Sequence, residues 1–409
     1  MRRPRVLWIP YAQRGSLYPV VPAVRALGAL GAETMLLGLP RLADLAADLG
    51  TGFMPYEAES GISYDWSRPD GRDRHGLGPD NGADWFHDRV AAEYAQAERA
   101  VRDFRPDVVL TDSFVIGAGL AAEGLGVPWA SYVHYLFDEG AETDDMHRVW
   151  WERPGTPALD AYCAWWDGVR AAVGLGPEPR DRAEAPWFRM SPRLTFLLGH
   201  PGLRRGDRAL PGFVTRTSLP PWDEAPRDAD GGTGSLAVPA DRRRVLVANS
   251  SAWQDDIALV SAALEGLADT DVEIVATVSA DHRLGMPLPA NATVLGYHPH
   301  TRLVPAVDAV ITTSGYGIVS KALWFGKPLV TVSHARDQHY VAQAVRRQGC
   351  GIALDWPPRP EALARAVREV LADTALHERL RRLSGPLAGH PSAKDVAADL
   401  LSLAGGDGR

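Results

Sequence analysis

The stretch ITTSGYGIVSKALW places Ser314, Gly315, Tyr316 and Gly317 where an apolar strand-like run gives way to a helix-like one. A helix that begins there presents unpaired backbone N–H groups and a partial positive charge, and glycine lets an anion approach the main chain closely. That is the chemistry of a phosphate seat. An ordinary strand-to-helix turn also uses glycine for its dihedral freedom, so the turn alone does not decide the matter. Some twenty residues on, after the run PLVTVS, Asp337 and Gln338 offer carboxylate and amide groups suited to sugar hydroxyls. Ser250 and Ser251 follow a third apolar run, VLVA (245–248). Together these groups outline a pocket for a nucleotide diphosphate carrying a sugar.

Competing chemistries find less support. Cys163 and Cys350, the two cysteines, have a separation that fits neither a disulfide framework nor a metal knuckle. The acidic clusters at 142–145 (ETDD) and 228–230 (DAD) lie in polar stretches and read as solvated acids, so no metal and no bound cofactor is expected. A net charge of −8 without a long basic run argues against a nucleic-acid surface. The apolar stretch at the start is too short for a signal-peptide core or a membrane span and reads as a first strand, while the two cysteines point to a reducing cytoplasm. Only three of the 43 basic residues are lysine, a bias typical of a GC-rich bacterial coding sequence.

The positioning elements form two series. RVLWIP, AETMLLGL, PDVVLTDS and VPWASYV read as strands alternating with helices. After a Pro, Gly and Asp-rich stretch, RRVLVANS, VEIVATVS, ATVLGY, DAVITTS and PLVTVS repeat the pattern. The expected architecture is α/β, with two doubly wound Rossmann-like domains facing across a cleft. Residues 1–215 would form the first domain, 216–241 a linker, 242–390 the second domain, and 391–409 a last helix. Such sheets bind ligands beyond the carboxyl ends of their strands. Residues 57–90, which include His75 and His87, read as a long polar insertion of functional or mobile character. Residues 146–170 carry four of the thirteen tryptophans, suited to core packing or, at a cleft, to a flat apolar ligand.

From VLGYHPHTRLVPAVDAVITTSGYGIVSKALWFGKPLVTVSHARDQHYVAQAV the chain resembles the donor-binding signature of nucleotide-sugar-dependent glycosyltransferases of the GT-B fold, especially bacterial enzymes acting on antibiotic and polyketide aglycones. GSLYPVVPAVRAL, PDVVLTDSFVIGAGLAAEGLGVP, SLPPWDEA and PSAKDVAADLLSLA extend the likeness along nearly the whole chain. The resemblance implies that Tyr297 stacks on the nucleobase and that the backbone at His298 pairs with it. It further implies that Ser251 and the turn from Thr313 through Ser314, Gly315 and Gly317 to Ile318 hold the diphosphate, and that Asp337 and Gln338 bind sugar hydroxyls. Inverting transfer from a dTDP- or UDP-sugar to a small, largely apolar aglycone follows, without a metal. A homodimer is allowed.

Several positions depart from the family pattern. Thr313 stands where a histidine commonly grips the α-phosphate, Ile318 where Ser or Thr is usual, and Lys321 where an acidic residue meets the ribose hydroxyls. Lys321 is then a point charge for a phosphate or a solvated surface lysine. Ser16 stands in place of the usual catalytic histidine, whose orienting aspartate corresponds to Asp112. A neutral serine cannot take a proton from an alcohol, so three bases stay open. Asp112 itself is one, with a carboxyl raised by burial and Ser16 beside it; His134 is the second, and Asp138 the third. His134 is equally readable as a satisfied core histidine, and Asp112 as a helix cap. The departures leave two alternatives beside glycosyl transfer: a reaction on the acceptor alone, or a noncatalytic partner role.

Overall fold

A computed structural model of the chain describes residues 2–56, 83–136, 157–181, 184, 187–204, 210–225, 242–249, 257–278, 284–334 and 337–405. It divides into two compact units. One comprises Met1–Leu198, Asp207–Thr217 and Pro391–Arg409; the other comprises Gly199–Gly206 and Ser218–His390. The division differs from a simple cut at residue 215, because a short segment around Pro201 belongs to the second unit.

The first unit is built on a parallel sheet in the order β3-β2-β1-β4-β5-β6-β7. Its strands are β1 (Arg5–Ile9), β2 (Glu33–Gly38), β3 (Gly52–Pro55), β4 (Val108–Asp112), β5 (Trp129–Val133), β6 (Thr195–Leu197) and β7 (Val214–Arg216). The central strands β4 and β5 are buried along their whole length, as continuous apolar runs covered on both faces must be. Helices α1 (Arg14–Leu17), α2 (Val21–Ala29), α3 (Ala43–Asp48), α4 (Ala83–Phe104) and α5 (Ile116–Gly124) flank the sheet. The last helix, Ala393–Ala404, starts with a capping box between Ser392 and Asp395 and packs on α2 and β4.

The second unit repeats the plan, in the order β10-β9-β8-β11-β12-β13. The strands are β8 (Arg243–Ala248), β9 (Val272–Thr277), β10 (Ala292–Leu295), β11 (Ala309–Thr312), β12 (Leu329–Val332) and β13 (Gly351–Leu354). In both sheets the order reverses beside the first strand, between β1 and β4 and between β8 and β11. A crevice opens at such a switch point. Gly351 is sterically required for the edge pairing, because a Cβ there would sit 2.1 Å from the Leu329 carbonyl oxygen.

One sequence expectation changes, and the core-packing reading of the tryptophans holds for Trp165 and Trp166. The polar stretch 57–90 ends in a regular element, since α4 begins at Ala83 and places His87 on a helix beside Gly168. His75 lies outside the described residues. Within the tryptophan-rich stretch, Trp165 and Trp166 are core residues packed with Tyr162, Trp187 and Phe188, and the Trp166 indole donates to Glu178 at 2.7 Å. Among the described residues no helix is long and apolar enough to cross a membrane.

Candidate active site

In the first unit three loops leave the carboxyl ends of β1, β4 and β5, and each brings one polar residue to the same spot. Ser16 follows β1 on α1, Asp112 closes β4, and His134 follows β5 directly. The parallel register aligns these ends, pairing Ile9 with Thr111 and Asp112 with Tyr132. The Ser16 hydroxyl lies 2.8 Å from Nε2 of His134. On the other side of the ring, Nδ1 stands 3.1 Å from Oδ2 of Asp112, off the alignment of a good hydrogen bond. The other Asp112 oxygen accepts the Phe114 N–H at 2.8 Å.

The carboxylate has 0% exposure, whereas the imidazole keeps 10%. Asp112 therefore cannot meet a substrate, and its expected role as the direct base gives way to that of an orienting group behind His134. It does not cap α5 either, since that helix starts without a side-chain cap. The order is Ser16, then His134, then Asp112, rather than Ser16 beside Asp112. Asp138 lies outside the described residues. Near the carboxylate, burial and the Asp112 charge hold the Tyr132 phenol well above its ordinary pKa, so it stays protonated.

Three such groups in a row can serve nucleophilic acyl transfer or base catalysis through a hydroxyl. The backbone separates the two. Both the Ser16 and Leu17 amides donate to the Gln13 carbonyl, at 3.0 and 2.8 Å, so the two amides nearest the hydroxyl are not available to an oxyanion. Proton removal is the chemistry this arrangement can serve. Around it stand partly exposed aromatic rings: Phe114 stacks on Tyr135 with centroids 5.0 Å apart and meets the His134 ring edge-on at 5.0 Å.

The second unit has its own polar cluster at the carboxyl edge. β11 pairs with β8 and β12, with Thr312 opposite Ala248 and Thr331. The turn after β11 thus lies between the ends of the strands that lead to Asn249 and to Asp337-Gln338. Ser250 and Ser251 lie outside the described residues. Gly315 precedes the helix Tyr316–Trp324, whose first intrahelical bond to the turn is Val319 N–H to the Gly315 carbonyl at 3.1 Å. The amides of Tyr316, Gly317 and Ile318 come before it and have no carbonyl one turn back within the helix. A Cβ at Gly317 would meet nothing within 4 Å, so that side of the helix start is open.

The left-handed residue of the turn is not a glycine but Ser314, at φ 70°. Its hydroxyl is fully buried with no hydrogen-bond partner among the described residues. Strain together with an unsatisfied buried donor marks a position kept for something other than stability. Thr313 beside it is also buried. Asp337 precedes the helix Gln338–Arg347, and the buried Gln338 side chain accepts the His334 N–H at 2.9 Å.

The loop 297–301 is held from below by Asp223. One oxygen of that carboxylate accepts the Thr301 N–H at 2.7 Å and the other pairs with the Lys321 ammonium. With 14% and 5% side-chain exposure, this pair overturns the reading of Lys321 as a solvated lysine or a free phosphate ligand. Nothing in the local sequence around Lys321 pointed to a partner about a hundred residues earlier. Tyr297 donates its hydroxyl to the Glu224 carbonyl at 3.1 Å. Burial, reinforced by Lys321, pushes the His300 imidazole down to about 4, and burial with Arg302 lowers His298. Both rings are neutral at pH 7. Among the described residues no group of His, Cys, Asp and Glu could hold a metal ion.

Comparison with known proteins agrees with this architecture. Residues 261–403 match the family described as erythromycin biosynthesis protein CIII-like, C-terminal domain. The chain is 29% identical over 349 residues to 4'-demethylrebeccamycin synthase of Lentzea aerocolonigenes, covering 78% of each. Its fold is similar to that of the glycotransferase of kitacinnamycin, with a TM-score of 0.74 at 21% identity, covering 98% of this chain and 100% of the other. The glycosyltransferase VinC, solved in complex with dTDP, superimposes with a TM-score of 0.69 at 20% identity over 98% of this chain and 99% of its own. The expected GT-B fold is the observed one.

Proposed function

We propose that this GT-B glycosyltransferase performs inverting transfer of a sugar from a dTDP- or UDP-sugar to a hydroxyl of a small, largely apolar natural-product aglycone, with His134 as general base acting through Ser16. The observation that carries the reading is the Ser16–His134–Asp112 chain. The acceptor hydroxyl gives its proton to Ser16 Oγ while the Ser16 proton passes to Nε2 of His134, and Asp112 steadies the imidazolium that forms. The acceptor oxygen attacks the anomeric carbon, and the bond to the diphosphate breaks with its electron pair leaving on phosphate. Amides at the Tyr316 helix start oppose that charge, and Asp337 and Gln338 take the sugar hydroxyls. The complex of VinC with dTDP supports a nucleotide donor of this kind. The family match to an erythromycin biosynthesis protein supports the natural-product setting, and the rings of Phe114 and Tyr135 support a flat apolar acceptor.

The test is to incubate the protein with dTDP-glucose or UDP-glucose and a panel of polycyclic aromatic and macrolide aglycones, identify products by mass, and assign the anomeric configuration by NMR. The expected product from an α-linked donor is the β-glycoside, and His134→Ala abolishes it. A product that keeps the donor's configuration, or a His134→Ala variant as active as wild type, refutes the reading.

A further inference from the structure

Helix α4 contributes no atom to the Ser16–His134–Asp112 chain, yet one buried ion pair on it touches the loops that carry it. Arg89 donates through Nε to Glu93 Oε1 at 2.8 Å and through Nη2 to the Phe114 carbonyl at 2.7 Å. The second Glu93 oxygen accepts the Gly117 N–H at 3.0 Å. The pair therefore grips the segment between β4 and α5 at its middle and the first turn of α5 just beyond it. Phe114 is the middle of that segment: its N–H goes to Asp112 and its ring lies against His134, Tyr135 and Tyr11. The Arg89 guanidinium also sits 5.9 Å from the Tyr11 ring centroid. Tyr11 belongs to the loop that leads to Ser16, where its carbonyl accepts the Gln13 N–H at 2.8 Å and the Gln13 carbonyl takes that of Ser16 at 3.0 Å.

Close approach makes these contacts feasible. A Cβ at Gly117 would lie 2.4 Å from the Val90 carbonyl and 2.5 Å from the Tyr94 nitrogen, so the first turn of α5 rests on the backbone of α4. The pair is 9% and 2% exposed at Arg89 and Glu93. Burying two charges adds little net stability over apolar residues of the same size, and fixing one arrangement is the use best attested for such pairs. Burial raises the Glu93 carboxyl and Asp112 acts on it in the same direction, which places the two carboxylates in each other's field.

We propose that the Arg89–Glu93 pair is a positioning device for the proton path: it sets the Asp112–Phe114 turn and, through the Phe114 ring and carbonyl, the orientation of His134. The proposal rests on the reading of Ser16, His134 and Asp112 as that path. It is tested with Glu93→Gln, Arg89→Met and Arg89→Lys in the full chain, reading kcat and donor KM for transfer and the His134 imidazole nitrogen resonances by NMR in the resting protein.

Glu93→Gln and Arg89→Met are expected to lower kcat about 10- to 100-fold, the effect of a misplacement near 1 Å, with donor KM within about two-fold. The same variants shift the His134 resonances, and Arg89→Lys recovers part of both effects because an ammonium keeps one of the two donations. A lowered melting temperature with unshifted His134 resonances and unchanged kcat overturns the proposal and leaves the pair a structural one. Should the two stronger variants fail to accumulate, Arg89→Lys carries the test, and wild-type resonances with wild-type kcat overturn it. If His134→Ala leaves transfer intact while Glu93→Gln still shifts the imidazole, the proton path is wrong and the positioning link stands.

Discussion

Replacing Asp112 by Asn alters one atom at the least exposed point of the site. The amide keeps the shape of the carboxylate, and its oxygen still accepts the Phe114 N–H, now at 2.8 Å. The amide nitrogen then faces Nδ1 of His134, which must become an acceptor. The ring proton moves to Nε2, the atom 2.8 Å from Ser16, and the imidazole can no longer take a proton there. The charge is lost as well. A unit pair at the observed 3.1 Å interacts by about 5 kcal/mol at an effective dielectric of about 20. At about 1.4 kcal/mol per decade, loss of that stabilisation of the imidazolium corresponds to a fall in kcat of about 10³- to 10⁴-fold. The same substitution behind the histidine of serine proteases has an effect of about 10⁴. The assay is steady-state transfer with both substrates varied, alongside a melting curve. The expected result is a fall in kcat of that size with donor KM nearly unchanged, since Asp112 and the turn proposed to hold the donor belong to different units. A folded Asp112→Asn protein with kcat within about ten-fold of wild type refutes the reasoning, because neither the tautomer nor the charge would then matter.

Ser314→Gly is expected to relieve a left-handed backbone and raise stability by about 1 kcal/mol, while donor KM rises if the buried hydroxyl serves the diphosphate. Thermal melting and donor titration read the two effects, and a donor KM unchanged by the substitution removes the hydroxyl from the site. Asp223→Ala leaves the Lys321 ammonium buried alone and is expected to destabilise by about 3 kcal/mol or more, with Lys321→Met restoring part of the loss in the double variant. A double variant no more stable than Asp223→Ala contradicts that account. His200, buried, is pushed from 6.5 down to about 4 by desolvation. Its unfolded form takes up a proton first as pH falls, so stability is full above about pH 6.5 and declines toward pH 4, by about 3 kcal/mol from this group. Melting curves between pH 7 and pH 4 should show a shallower decline in His200→Gln than in wild type.

The amino-acid pattern alone determined the strand and helix alternation, the two-domain division in outline, the turn after β11 and the likeness to GT-B glycosyltransferases. These are local or periodic properties: a buried parallel strand must be continuously apolar, and a phosphate seat needs its glycine and helix start adjacent in the chain. The edge strands β3, β7 and β13 and the inner strand β6 are not legible in the sequence, because three or four residues carry no period. Likewise only the first turns of α4, residues 83–90, read as part of the polar insertion, since they follow directly on a polar stretch.

Only the tertiary structure decided which side chains meet. Ser16, Asp112 and His134 stand on three loops, and the sequence presented them as competitors for one role. Sheet register makes them one chain, with Asp112 hidden and His134 between it and Ser16. Lys321 reads as a surface residue by its place on a helix, and becomes half of a buried pair because Asp223 returns beneath it. Arg89 and Glu93 show only an i,i+4 spacing in the sequence, and their reach to Phe114 and Gly117 depends on α5 lying against α4. Each of these contacts joins residues far apart along the chain, and a distance in space between such residues is set by the packing of whole elements, which no local pattern encodes.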